Sequence, residues 1–218
     1  MRVLNLYSGI RGNRKLWENV DVTAIDNNPE IAAIYRDLYP NDNMIITDAH
    51  EYLLKHFIEF DFIWASPPCP SHSAFRKNVA CNITNKNEGR YANPLYPDMK
   101  LYAEIIFLQY YFKGKFAVEN VRPYYTPLIK PTNIIDRHLF WTNYPLNKKK
   151  FEFHNIARGS PKEWMEHIDV NLNEYELNHR HDQIYRNCVD SDLGKFVFDS
   201  AYSIRQEQLI TTFEEKSL

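Results

Sequence analysis

The chain has 218 residues, of which 44% are hydrophobic and 25% charged, with a net charge of −2. This is the composition of one good-sized globular domain, or of one domain with a small appendage, and it excludes a low-complexity chain. No apolar run approaches membrane-spanning length, and the odd set Cys69, Cys81 and Cys188 has no CxxC pair, which speaks against a disulfide framework and a zinc site. Met1 leads straight into a short apolar run with no signal peptide, so a reducing cytoplasm is expected.

In chain order, "RVLNL" reads as a strand and "NRKLWEN" as the start of a helix. "VTAID" is a second strand, followed by a helix "PEIAAIYRDLY" with Pro29 placed at its first turn. "NMIIT" is a third strand, "AHEYLLKHF" an amphipathic helix and "FDFIWA" a fourth strand. "MKLYAEIIFLQYYF" is a long apolar helix and "KFAVEN" a fifth strand. Alternation at these lengths predicts βαβ units, hence a mostly parallel sheet with helices on both faces. In such sheets the functional groups gather at the carboxyl ends of the strands. Those ends here are "YSG", "DNN", "TDA", "SPPC" and "ENV".

Two stretches break the alternation. Residues 71–98 have no period and are rich in Asn, Lys and Arg, which marks a functional or mobile loop. Residues 142–186 mix Lys148, Lys149 and Lys150 with aromatics and polar runs, as expected of a small irregular subdomain. The last segment, "DSDLGKFVFDSAYSIRQEQLITTF", reads as one or two amphipathic helices packing back on the sheet.

Dividing the charge is more informative than the total. Residues 1–75 carry −4, residues 76–150 carry +8, and residues 151–218 carry −6. The basic middle is where a polyanion is expected to lie, although a solvated basic face would account for charge alone. His179 and His181 lack a carboxylate or cysteine at ligand spacing and read as exposed surface.

Two constellations carry chemistry. Gly9 and Gly12, between the first strand and the helix expected after it, allow a tight turn that brings backbone close to a ligand. Asp26 and Asp48 end the next two strands, where a carboxylate can accept from ribose hydroxyls. Turn glycines and helix caps explain this layout nearly as well. Second, Cys69 and Glu119 end the fourth and fifth strands and can face one site. A thiol is nucleophilic only as the thiolate, and a basic neighbourhood is expected to favour that form. A carboxyl group opposite can protonate a ring nitrogen and make the adjacent carbon electrophilic.

The stretches "LYSGIRG", "SPPCPSHS" and "AVENV", in this order, resemble the motifs of cytosine-5 DNA methyltransferases, and "RNCV" at 186–189 is similar to a late motif of that family. The resemblance implies an α/β fold: a Rossmann-like S-adenosylmethionine-dependent methyltransferase sheet with helices on both faces and a small irregular recognition insert. Its parts would be a catalytic core at 1–141, a target-recognition region at 142–186, and a C-terminal helical segment at 187–218 packing back on the core. It implies S-adenosylmethionine as cofactor, held by Tyr7, Ser8, Gly9, Gly12, Asp26, Asn27, Asp48, Pro67, Asn187 and Val189. Cys69 would be the nucleophile and Glu119 the base-binding acid, with Arg137 or His138 in the place of the family's arginine-rich eighth motif. Double-stranded DNA would lie on Ser71, Arg76, Lys77, Lys86, Arg90, Lys148, Lys149 and Lys150. No metal, no membrane and a monomer are expected, in a prokaryotic or phage-infected cell and in the setting of a modification system or mobile element. The same chemistry on structured RNA, or a catalytically idle nucleic-acid binder, are the alternatives.

The chain also departs from the family pattern. Arg11 replaces the middle glycine of the first motif, Asp26 stands for a longer glutamate, and Pro70 follows the cysteine where a glutamine is usual.

Overall fold

The five apolar runs become five parallel strands in a computed structural model that describes residues 1–74, 96–147, 149, 151 and 160–202. They are β1 (Arg2–Leu6), β2 (Asp21–Asp26), β3 (Asn43–Ile46), β4 (Phe62–Ala65) and β5 (Lys115–Val121). A hairpin of β6 (Asn133–Ile135) and β7 (His138–Thr142) completes one seven-stranded sheet in the order β3-β2-β1-β4-β5-β7-β6. β7 runs antiparallel to both β5 and β6. The chain therefore has the mostly parallel α/β sheet that the alternation predicted, with an antiparallel edge that periodicity did not announce.

Side-chain alternation divides the core between the two faces of the sheet. On one face Val3, Val22, Ala24, Phe62, Trp64, Ala117 and Phe140 are buried. They lie beneath α1 (Pro29–Leu38) and the helix α6 at residues 191–202. On the other face Leu4, Leu6, Ile25, Ile63, Phe116 and Val118 pack under α2 (Ala49–His56) and α3 (Lys100–Tyr111). β4 is buried on all four of its residues, as a central parallel strand must be. A third cluster joins α4 (Pro161–Ile168) and α5 (His181–Arg186) to Ile10 and Ile34 through Trp164, Ile168, Leu172 and Tyr185.

The helix expected at "NRKLWEN" does not form. Only a single 3-10 turn, Gly12–Arg14, follows β1. The space that a crossover helix would fill is taken by α6: Trp17 stacks on Phe198 at 5.1 Å and donates its indole N–H to the Gly194 carbonyl at 3.2 Å. Asn13 points inward as well, its Nδ2 donating to Asn5 Oδ1 at 2.8 Å. Burial of these two side chains, Trp17 against α6 and Asn13 against β1, outweighs local helix propensity.

α1 begins where the sequence placed it. Asn28 caps the helix, its Oδ1 accepting from the amides of Glu30 (2.9 Å) and Ile31 (3.5 Å), and Pro29 occupies the first helical position. Asn28→Ala is expected to cost about 1 kcal/mol of stability in a urea melt. An unchanged midpoint would mean that the cap contributes nothing.

Candidate active site

β4 stops at Ala65 because Pro67 and Pro68 lack the amide donors that a continuing strand needs. The chain turns at Cys69, whose carbonyl accepts from the amides of His72 and Ser73, both at 2.9 Å. Two further backbone bonds stitch this turn to the chain beyond β5: Ala74 N–H to the Arg122 carbonyl at 2.9 Å, and Tyr124 N–H to the His72 carbonyl at 3.0 Å. Asn120, on β5, donates from Nδ2 to the Pro67 carbonyl at 2.9 Å. The thiol-bearing turn and the Glu119-bearing strand are thus held in one frame.

Glu119 is buried on β5, and its Oε1 lies 2.6 Å from His138 Nδ1. The register explains the contact: Val121 pairs with His138 and Glu119 with Phe140, so His138 is the diagonal neighbour of Glu119 on the same face. Arg137 Nε donates to His138 Nε2 at 3.3 Å, which makes Nδ1 the nitrogen that donates to Glu119. Of the two residues offered for the eighth motif, His138 touches the glutamate, and Arg137 acts on His138. Arg122, which sequence reading missed, braces the hairpin turn by donating from Nε to the Asp136 carbonyl at 3.0 Å.

The expectation of a thiolate favoured by basic surroundings is not met among the described residues. Burial pushes the Cys69 thiol up, and the Glu119 carboxylate pushes it further; Arg137 opposes both without reversing them.

At the ends of β1 to β3 a second set of residues converges. Gly9 takes φ +59°, and its amide donates to Asp26 Oδ2 at 3.2 Å. Asp26 Oδ1 accepts from the Asn28 amide at 3.0 Å. Burial raises the Asp26 carboxyl, and the amides of Asn28, Gly9 and Asn27 counter this. Ser8 is buried, its amide donating to the Ile25 carbonyl at 3.0 Å. Asp48 is exposed at the end of β3, where it caps α2 and lies 3.4 Å from Lys100 Nζ.

Gly12 and Arg11 of the first motif each have a local explanation. A Cβ on Gly12 would lie 2.7 Å from the Val189 amide nitrogen and 2.8 Å from its carbonyl oxygen, so "RNCV" packs directly on the first loop. Gly12→Ala is expected to cost about 1–3 kcal/mol, because backbone must move on one side or the other. Calorimetry would show a lower Tm, and an unchanged one would sink the argument. Arg11 directs its guanidinium to the Asp169 carboxylate, at 3.4 Å.

Residues 1–123 match the family model of the C-5 cytosine-specific DNA methylases, more than half of the chain. The chain belongs to this family. No curated protein matches it. Among solved structures, a hypothetical protein from Thermus thermophilus is 12% identical, with a TM-score of 0.42 over 65% of this chain and 73% of its own. A putative DNA modification methyltransferase encoded within an Escherichia coli prophage is 17% identical, with a TM-score of 0.38 over 58% of this chain and 33% of its own. A mutant of Spodoptera frugiperda DNMT2 is 22% identical, with a TM-score of 0.36 over 55% of this chain and 35% of its own. The methylase thus spans about a third of the length of the last two.

The methylase's residues fit the nucleoside that this family uses. A Cβ at Gly9 would meet no atom within 4 Å, so the space above the first loop is open, and it lies beside the Asp26 carboxylate. Asp26 and Asp48 offer acceptors at the ends of adjacent strands. Asn27 and Asn187 are exposed, whereas Pro67 and Val189 are buried, Val189 with its backbone against Gly12. Ser71 is half-buried, and its hydroxyl accepts from the Asp98 amide at 3.0 Å, so the two ends of the basic segment meet. Lys149 holds its ammonium over the rings of Phe151 (5.2 Å) and Phe196 (5.5 Å). Arg76, Lys77, Lys86, Arg90, Lys148 and Lys150, with Cys81, lie outside the described residues. Among the described residues no group of His, Cys, Asp and Glu could hold a metal ion, and no helix is long and apolar enough to cross a membrane.

His72 and Glu104 are among the buried polar residues that escaped the sequence reading. His72 is enclosed, with Nδ1 2.5 Å from the Tyr125 hydroxyl. Glu104 is fully enclosed on α3. The spacing of Leu101, Glu104, Ile105 and Leu108 was a signal for it, since position 104 falls in the inward stripe of the helix.

Proposed function

We propose that this methylase modifies carbon 5 of a cytosine turned out of duplex DNA, through a covalent adduct with Cys69. The observation that carries the reading is the frame holding Cys69 and Glu119: adjacent strand ends tied by the Asn120–Pro67 bond, with the Glu119 charge felt at the thiol. Cys69 gives up its proton to solvent, and its sulfur adds to carbon 6 of the ring. Glu119, which takes up a proton as the base binds, holds the ring nitrogen at position 3 and gives it that proton as electron density moves through the ring. Carbon 5 becomes enamine-like and takes the methyl group. Water takes the proton from carbon 5, the ring nitrogen returns its proton to Glu119, and the thiolate departs to restore aromaticity.

S-adenosylmethionine, when bound, supplies the electrophilic methyl group. Tyr7, Ser8, Gly9, Asp26, Asn27 and Asp48 would hold its nucleoside, with Gly12, Pro67, Asn187 and Val189 around them. A cytosine inside a duplex cannot reach Cys69, so the base must leave the stack, at a cost of a few kcal/mol. Residues 142–186 and the basic positions from Ser71 to Lys150 would hold the DNA.

The test is a covalent trap. Protein and cofactor are incubated with duplex DNA containing 5-fluorocytosine, whose carbon 5 has no proton to lose, and run on a denaturing gel. A shifted band that disappears with Cys69→Ala is the expected result. A band with fluorinated RNA alone would move the substrate to RNA. No band with either, in a protein that binds the cofactor, would overturn the reading.

A further inference from the structure

Glu104 needs a reason to be where it is. Its side chain is wholly enclosed in the layer between the sheet and α3, among Leu101, Ile105 and Leu108. Oε1 accepts from the Tyr7 hydroxyl at 2.5 Å and lies 3.0 Å from His50 Nδ1. Oε2 is buried with no partner among the described residues. An apolar side chain would fill this place without the desolvation cost of a carboxyl group. What the carboxyl group adds is an acceptor aimed at Tyr7.

Tyr7 is the residue that needs holding. It takes φ +56°, a left-handed conformation that is costly for a bulky side chain and persists only where neighbours enforce it. Burial and the Glu104 carboxyl both keep its hydroxyl protonated, so it remains a donor. Two residues on, Gly9 also takes a positive φ and donates to Asp26. One turn before Glu104, Lys100 reaches Asp48 at 3.4 Å, and His50 follows Asp48 at the start of α2. Helix α3 therefore touches the end of β1 and the end of β3 at once.

We propose that Glu104 is a positioning residue of the nucleoside site: through the Tyr7 hydroxyl it locks the strained first loop, and with it the Gly9–Asp26 pair, in the shape that receives the cofactor. His50 shares the same carboxyl oxygen and fixes its orientation. This rests on reading the ends of β1 to β3 as the cofactor site.

The test titrates S-adenosylhomocysteine into the full chain by calorimetry. The set is wild type, Tyr7→Phe, Glu104→Leu, Glu104→Gln and the double variant Tyr7→Phe/Glu104→Leu, each with a thermal melt. Tyr7→Phe removes one oxygen and leaves the ring, so it reports even if Glu104→Leu fails to fold. Tyr7→Phe and Glu104→Leu are each expected to weaken binding roughly tenfold. The double variant should bind no worse than the weaker single variant, because one bond is being removed twice. Glu104→Gln, whose amide oxygen still accepts from the hydroxyl, should stay within about threefold of wild type. Kd should move more than the turnover rate at saturating cofactor, a split that general loosening would not give. Wild-type affinity in Tyr7→Phe, or additive losses in the double variant, would overturn the proposal. If wild type binds no S-adenosylhomocysteine, the cofactor reading itself is lost and this proposal with it.

Discussion

Glu119→Gln is expected to move two rates in opposite directions. Methyl transfer should fall by roughly 100-fold or more, because the amide cannot give a proton to the ring nitrogen. Alkylation of Cys69 by iodoacetamide, at fixed pH and without substrate, should become faster. The sign follows from the thiol's surroundings. Burial and the Glu119 charge both hold Cys69 above its ordinary value, and Arg137 pulls it down. Replacing the carboxylate by a neutral amide of the same shape removes one of the two upward pushes. The thiolate fraction at a given pH then rises, and alkylation follows the thiolate. The pH midpoint of alkylation should move down, with the amide oxygen still accepting from His138. An unmoved midpoint would show that the carboxylate and the thiol do not share a site. Burial and the Glu119 carboxylate both favour the protonated form of the Cys69 thiol.

His138→Phe is expected to be the most destabilising change at the site. Glu119 and His138 are both nearly inaccessible, and the 2.6 Å contact is the hydrogen bond that the glutamate makes there. Removing the imidazole leaves a buried carboxylate facing a ring that cannot donate. Breaking a buried pair from one side costs about 3–5 kcal/mol. For a chain of this size that is a Tm lower by roughly 10 °C. The double variant Glu119→Gln/His138→Phe should lose less than the sum of the two single variants, since no unpaired charge remains. Urea melts of the four proteins measure this directly. A His138→Phe protein as stable as wild type would show that the carboxylate finds another partner or a proton at no cost.

The parallel strands were legible because a strand buried on both faces has to be a short continuous apolar run: "FIWA" is one, and "FAV" opens the fifth strand before Glu119. Their ends were legible for a related reason: chemistry gathers where strands stop, and Pro67 and Pro68 mark a stop that no composition statistic would. The helix expected over "NRKLWEN" failed because Trp17 answers to α6, whose residues lie almost 180 positions away, and Asn13 turns inward to Asn5 on β1. The β6–β7 hairpin was hidden by its brevity, with a three-residue first strand and a turn at Asp136 in the left-handed region. Which of Arg137 and His138 would face Glu119 depended on register, and a slip of one residue would have exchanged them. Cys69 was found by its prolines, but its protonation depends on burial and on one carboxylate, neither of which can be read from the charge of a segment.

The filling of the slot beside β1 by α6 has a consequence for how the chain is made. The face of the sheet bearing Val3, Val22, Phe62 and Trp64 waits for Val197 and Phe198 before it is closed. On a ribosome, the first sixty-odd residues would emerge with α1 over part of that face, and the rest would stay open until residues 191–202 had been synthesised. Contacts of such long sequence separation slow the final collapse. Ribosome-bound intermediates of this protein should therefore be clients for chaperones until α6 has cleared the exit tunnel.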